Sequence, residues 1–289
     1  MTTVRVVDQV GLGDHVFWSY DDTAAALDAV GRFLATGLRL GHKALCFLDA
    51  LAPDAVLADL SARGVPADAA RAEGRLRLLP AGGSYRPGRR FDRPGMIAVL
   101  AAESARAHRE GYPGLRLVGD MAWAARAGTS VVELHRYETE VNALFPDGTV
   151  AGLCLYDRRL FPADQIRAIA AAHPGSAGPD TGGSWRPLLR AYRTRDPAGL
   201  RLVGEIDRSN GDAFTAMLSG MSGWAVPGGP AVLDVSGLSF ADVGAAHDLL
   251  RAGETQTGGL RLVGCRPAVR RLLDLVGQGA HLQPVGRPA

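Results

Sequence analysis

Two hydrophobic rhythms alternate along the first 174 residues: short apolar runs, and stretches where apolar residues recur every three or four positions. His15 to Tyr20 (HVFWSY) is an apolar and aromatic run that predicts a strand. Asp22 or Thr23 can cap the next helix, because a short side-chain oxygen accepts from the free N–H groups of a first turn. Leu27, Val30, Leu34 and Leu38 recur at helical spacing through it, and Gly41 closes it. The alternation continues with a strand at 44–48, a helix at 53–63 and a strand at 75–79. A Gly/Arg/Pro loop over 80–94 follows, with Gly82-Gly83 read as mobile. Then come a helix at 96–110, a strand at 115–119, a helix at 130–145, a strand at 150–156 and a helix at 163–173. Repeated strand–helix order predicts an α/β domain with a mainly parallel sheet covered on both faces.

A Gly-, Pro- and Ser-rich segment breaks the pattern, so domains are expected at 1–174 and 189–289 with a linker at 175–188. Beyond it, strands are expected at 200–204, 231–235 and 260–264. Phe214, Met217, Leu218 and Met221 form one helical stripe, 242–251 reads as a helix, and Val269, Leu272, Leu273 and Val276 form another stripe. Pro267 suits the first turn of that last helix and Gly277 its end. The string GLRLVG, at Gly114, Gly199 and Gly259, has unequal offsets and is read as three similar strands rather than a repeat.

Composition narrows the function. With 32 basic and 30 acidic residues the net charge is only +2, and no basic stripe with aromatic partners occurs, which argues against direct nucleic-acid binding. The absence of a signal-peptide core or a membrane-length apolar run leads to the expectation of a cytoplasmic protein without membrane contact. The three cysteines, Cys46, Cys154 and Cys265, are odd in number and far apart, so they form no disulfide framework.

Candidate chemistry lies at the strand ends, where ligands of parallel α/β folds bind. The first strand runs into Asp21-Asp22, whose carboxylates would repel phosphate, and no Gly-rich loop with Lys-Ser/Thr is present. Asp120, beside Met121 and Trp123 as soft apolar pocket walls, either binds Mg²⁺ or a polar ligand group or is a capping or salt-bridged carboxylate. His135, Glu138 and Asn142 share one face of a helix, which either borders a pocket or is solvated. Cys154 is most simply a buried small hydrophobe, and no pair of histidines has metal-site spacing, so no metal is expected and no cofactor is assigned.

Several separate motifs carry a family resemblance: His15 with Tyr20; Phe33 to Leu38 with Gly41; Gly119-Asp120-Met121-Ala122-Trp123; Tyr137-Glu138 with Asn142; Cys154-Leu155-Tyr156-Asp157; and His173-Pro174. Residues 13–174 thereby resemble a MEDS domain, the sensory domain of DcmR-type regulators. The resemblance implies a RecA/KaiC-like core that lacks a phosphate-binding loop and senses small, hydrocarbon-like molecules. Asp120 stands where that family would have Glu. Residues 189–287 resemble a STAS domain of the anti-sigma-factor-antagonist type, through Leu202 to Asp207 and Val232 to Asp242. That family has a phosphorylated Ser at the start of a helix, and here Gly244 occupies the position. Phosphate would add charge and acceptors there, so this switch is unavailable.

The leading expectation is a non-enzymatic relay. A small apolar or mixed-polarity ligand would bind among His15, Trp18, Tyr20, Asp120, Met121, Trp123, Glu138, Asn142, Cys154 and Tyr156. The second domain would meet a protein partner, such as an anti-sigma factor or a regulatory kinase, through Asp207, Asp234, Asp242 and Gly244. The alternatives are a constitutive scaffold without a ligand, and an enzyme using Asp120, Glu138 and Cys154.

Overall fold

The computed structural model describes residues 6–86, 90–179, 189–221, 229–256, 258–277 and 282–285. In the first 174 residues, buried apolar runs become parallel strands and amphipathic stretches become the helices covering them. Strands β1 (His15–Tyr20), β2 (Lys43–Leu48), β3 (Leu76–Pro80), β4 (Leu115–Asp120), β5 (Val150–Asp157) and β6 (Gly175–Ala177) form one sheet in the order β3-β2-β4-β5-β1-β6. Every pairing is parallel. Strands β2 and β4 are buried at each residue, as a parallel sheet covered on both sides requires.

Helix α1 (Thr23–Arg39) lies against one face with Ala26, Val30, Phe33, Leu34 and Leu38 inward, and the Asp22 side chain caps it by accepting from Ala24 N. Helix α2 (Pro53–Ala62) and the short α3 (Ala67–Ala72) pack on the same side. The other face carries α4 (Ala81–Tyr85), α5 (Arg93–Arg109), α6 (Ala122–Arg126), α7 (Val131–Val141) and α8 (Ala163–Ala171).

Strand β1 divides its side chains between the two cores. Val16, Trp18 and Tyr20 face the α1 side, and Phe17 faces the α7 side. This follows from the two-residue period of a strand.

Two segments differ from the expectation. The Gly82-Gly83 stretch, read as a mobile loop, folds as α4, because Tyr85 is drawn under the helices onto Phe47 and Trp123. Gly175 to Ala177, placed in the linker, pairs with β1 as an edge strand. Residues 180–188 of the expected linker lie outside the described residues.

The second sheet runs β11-β10-β9-β8-β7. A hairpin of β7 (Leu189–Arg195) and β8 (Ala198–Ile206) leads into parallel β9 (Ala231–Ala241), β10 (Leu260–Val263) and β11 (Leu282–Val285). Helices α9 (Gly211–Gly220), α10 (Val243–Thr255) and α11 (Pro267–Val276) share its core with Leu200, Leu202, Leu233 and Leu262. The three GLRLVG strings become β4, β8 and β10. No helix among the described residues is long and apolar enough to cross a membrane.

Candidate functional site

Four chemistry-bearing side chains from four separate elements meet beneath α7. His15 opens β1, Cys154 sits in mid-β5, Glu138 projects from α7, and His173 follows the end of α8. His15 Nε2 lies 3.3 Å from Cys154 Sγ and 3.5 Å from Glu138 Oε2. Glu138 Oε2 is also 3.4 Å from His173 Nε2 and 3.7 Å from Cys154 Sγ. The four donor atoms all lie within 4.8 Å of one another.

Local sequence makes the room. His15 pairs with Gly152 across β1 and β5. A Cβ at residue 152 would sit 2.8 Å from Phe145 Cζ and 3.2 Å from His15 Cδ2. Glycine therefore lets the His15 and Phe145 rings stack over the strand, with centroids 4.5 Å apart.

A second layer of hydrogen bonds fixes the orientation of these groups. Asn142, one helical turn beyond Glu138, donates from Nδ2 to Glu138 O at 3.0 Å and to Ala172 O at 2.8 Å. With its amide hydrogens used in this way, its Oδ1 must accept, and it lies 2.8 Å from His15 Nδ1. His15 thus carries a proton on Nδ1 and turns Nε2 toward Cys154 and Glu138. His173 Nδ1 donates to Ile169 O at 2.9 Å, and its Nε2 is buried 3.4 Å from Glu138 Oε2, a contact that falls short of a hydrogen bond. Tyr156 donates its hydroxyl to Glu138 Oε1, so Oε2 is the oxygen free to face the cluster.

Burial pushes the His15 imidazole down, aided by His173, and keeps it neutral. Burial also raises the Glu138 carboxyl, but His173 and the contacts with His15 outweigh it and hold the group ionised. The Cys154 thiol is pushed up by burial and by Glu138, so it stays protonated. Tyr156 is raised by burial and the same carboxylate.

Beside Cys154 and His15 lies a void of about 20 Å³ walled by Phe47, Tyr85, Leu117, Tyr137 and Phe145. Trp123 stacks on Tyr85 at 4.9 Å behind that wall. The pocket is apolar around one polar corner.

The structure brings together His15, Glu138, Asn142, Cys154 and Tyr156 of the expected ligand residues, with Trp123 behind them. Trp18 and Tyr20 are a correction: strand alternation puts them on the opposite face, against α1. Asp120 is a second one. Its carboxylate accepts from the backbone N–H groups of Asp49, Ala50 and Leu51 at 2.9, 2.6 and 3.0 Å, and from Ala122 N at 3.3 Å. It is spent on holding the loop after β2. Met121 is fully buried in the same core but does not line the void. His135, read on one face with Glu138, points instead to the second domain, where its Nε2 is 2.9 Å from Asp212.

Sequence reasoning missed Phe47, Tyr85 and Phe145 as walls, and His173 as a member of the cluster. His173 stood out only as part of His173-Pro174. No spacing rule pairs it with His15, because they meet only once β1 and the end of α8 are folded together.

The second sheet docks against this site. Pro174 O accepts from Leu189 N at 3.2 Å and from Asn210 Nδ2 at 3.3 Å. Arg190 makes a two-pronged contact with buried Asp14, at 2.5 and 2.7 Å. Between α7 and helices α9 and α10 runs a groove of about 650 Å³. Of the expected partner residues, Asp207, Asp242 and Gly244 line it, opposite His135 and Thr139. Asp242 caps α10 by accepting from Ala245 N at 2.8 Å. Asp234 is not among the groove residues; it sits in β9, accepting from Ser236 N.

Residues 14–174 match the family model described as MEDS, the MEthanogen/methylotroph, DcmR Sensory domain. Residues 189–284 match that of the Mlab, STAS domain. The chain is 30% identical over 164 residues to the transcriptional repressor DcmR of Methylorubrum extorquens, a match covering 55% of this chain and 58% of that repressor. The chain thus spans little more than half the length of that relative. The flagellar accessory protein FlaH from Methanocaldococcus jannaschii is similar at 9% identity and a TM-score of 0.43, over 68% of this chain and 80% of FlaH.

Proposed function

Since this chain belongs to the MEDS family of sensory domains, we propose that it is a non-enzymatic cytoplasmic relay, in which a small ligand held beneath α7 alters the docking of the STAS domain and so its binding of a protein partner. A signalling and regulatory role rests on the two matched domains and on the likeness to a transcriptional repressor. The ligand is a small molecule, apolar or of mixed polarity, with its apolar part against Tyr85, Tyr137 and Phe145 and any polar atom toward His15 and Cys154.

The observation that carries this reading is that one helix serves both sides. Helix α7 presents Glu138 to the buried cluster and His135 to Asp212 of the second domain. The neighbouring His173-Pro174 step likewise joins the cluster to Leu189 and Asn210. A void of about 20 Å³ holds no more than a water, so a ligand must displace the wall that α7 and Tyr85 form. A ligand that moves α7 in this way favours one docking arrangement over another, which is the requirement for a ligand to shift an equilibrium.

An enzymatic role fits the site poorly. The thiol of Cys154 is held protonated and the nearby imidazole is a weak base, the reverse of an activated pair. The close packing of the void favours one second reading, a scaffold that binds partners with no ligand at all. Native mass spectrometry of the gently purified full chain separates the two. A bound mass that is lost in Tyr137→Ala supports the relay; a clean apo mass that persists after exposure to cell metabolites supports the scaffold.

A further inference from the structure

The buried cluster has a peculiarity that small-molecule binding leaves unexplained: four metal-ligating atoms, from two histidines, a carboxylate and a cysteine, converge within 4.8 Å of one another. Nδ1 of each imidazole is committed to an oxygen, so Nε2 is the ring atom that each turns toward the cluster. Glu138 Oε2 and Cys154 Sγ complete the set. A carboxylate buried away from water is costly unless it is paired or coordinates a metal. His173 Nε2 is buried and its contact with Glu138 Oε2, at 3.4 Å, falls short of a hydrogen bond.

We propose that His15, Glu138, Cys154 and His173 bind one zinc ion. Tetrahedral zinc with nitrogen, oxygen and sulfur ligands requires ligand-to-ligand edges of roughly 3.3–3.6 Å. Four edges of the cluster are 3.3, 3.4, 3.5 and 3.7 Å. The two remaining pairs, both involving His173, lie within 4.8 Å. Two imidazoles, a thiolate and a carboxylate are all accepted zinc ligands. On binding, the Cys154 thiol gives up its proton to solvent and its sulfur pair to the metal. Thiolate and carboxylate charges then cancel the two positive charges of the ion, and the buried site becomes neutral.

The outer shell is already that of a metal site. Each histidine donates its far nitrogen to an oxygen, and Tyr156 hydrogen-bonds the non-ligating carboxylate oxygen. The void borders Cys154 and His15, so the ion would present one side to whatever small molecule enters there.

The assignment deepens the sensor reading of the same cavity, and the test keeps them apart. The full chain, free of any affinity tag, is purified in metal-scrubbed buffer and its zinc measured by inductively coupled plasma mass spectrometry. The zinc is then stripped and replaced with Co²⁺, whose thiolate charge-transfer band reports a cysteine ligand. Expected are about one zinc per chain and a charge-transfer band lost in Cys154→Ser but kept in Cys265→Ser. His173→Gln should weaken zinc binding at least about a hundredfold, since losing an outer partner alone costs 10–100-fold. A folded wild-type chain that takes up neither zinc nor cobalt overturns the assignment, as does an unchanged affinity in Cys154→Ser. If that metal-free chain still binds a small molecule, the sensor reading stands while the zinc site falls. A zinc-loaded chain that binds no small molecule does the opposite: the zinc site stands and the sensor reading falls.

Discussion

Replacing Asn142 with leucine, close to it in size, is expected to destabilise the first domain far more than the loss of a surface amide would. Asn142 is 1% exposed and makes three hydrogen bonds. Leucine fills the same space but leaves the His15 Nδ1 proton and the Ala172 carbonyl buried without partners. Each orphaned group costs about 1–3 kcal/mol, so the pair amounts to about 2–6 kcal/mol. That is a large part of a typical domain's stability of about 5–15 kcal/mol. Asn142→Asp is the informative companion. It keeps an acceptor for His15, loses both donations, and places a second carboxylate beside Glu138, so it should cost more than leucine. Urea unfolding followed by far-ultraviolet circular dichroism measures both, read from the first-domain transition. An Asn142→Leu chain within about 0.5 kcal/mol of wild type, the range of ordinary surface changes, would refute the hydrogen-bond logic that sets the His15 tautomer.

Three further outcomes follow from contacts elsewhere. Gly152→Ala drives a methyl group into the stacked Phe145 and His15 rings and should cost about 1–3 kcal/mol in the same unfolding assay. Arg190→Met leaves the Asp14 carboxylate buried with the Gly11 N–H as its remaining hydrogen-bond donor; because Arg190 itself is 32% exposed, the loss should be about 1–3 kcal/mol, below that of a fully buried pair. Asp212 is held below its ordinary value of 3.8 by the His135 hydrogen bond, so its contribution to docking is present above pH 3.8 and lost as pH falls through the lower folded value. A stability-versus-pH series should therefore be flatter below pH 4 in His135→Ala than in wild type, and only slightly so, since Asp212 is 55% exposed.

The sequence was most legible where burial is uniform. The apolar runs around Leu45, Leu117 and Leu153 name strands whichever face they present, and all three GLRLVG strings became strands. Legibility failed where a side chain's direction mattered. Trp18 and His15 both look like pocket residues in the linear chain, yet an odd separation on a strand sends them to opposite cores. Asp120 read as a ligand or a cap, and only the folded loop at Asp49 to Leu51 decides for the cap. Tyr85 sits among glycines and prolines that suggest a loop, but burial of its ring orders a helical turn there. The cluster itself was half visible: Glu138, Asn142, Cys154 and His15 were each singled out, whereas His173 joins them across a contact that no local pattern encodes. In the second domain, β7 escaped notice because its buried residues, Leu189 and Ala191, alternate with arginines and a tyrosine in a weak pattern.

The central claim is that a molecule bound beneath α7 is felt in the second domain. Hydrogen–deuterium exchange of the full chain, as purified with its bound molecule and again after that molecule is removed by dialysis, tests it most directly. Removal is expected to change exchange in α7 and also in α9 and the first turn of α10, around Asp242 and Gly244. A change confined to residues 6–179, with α9 and α10 unaltered, would contradict the relay.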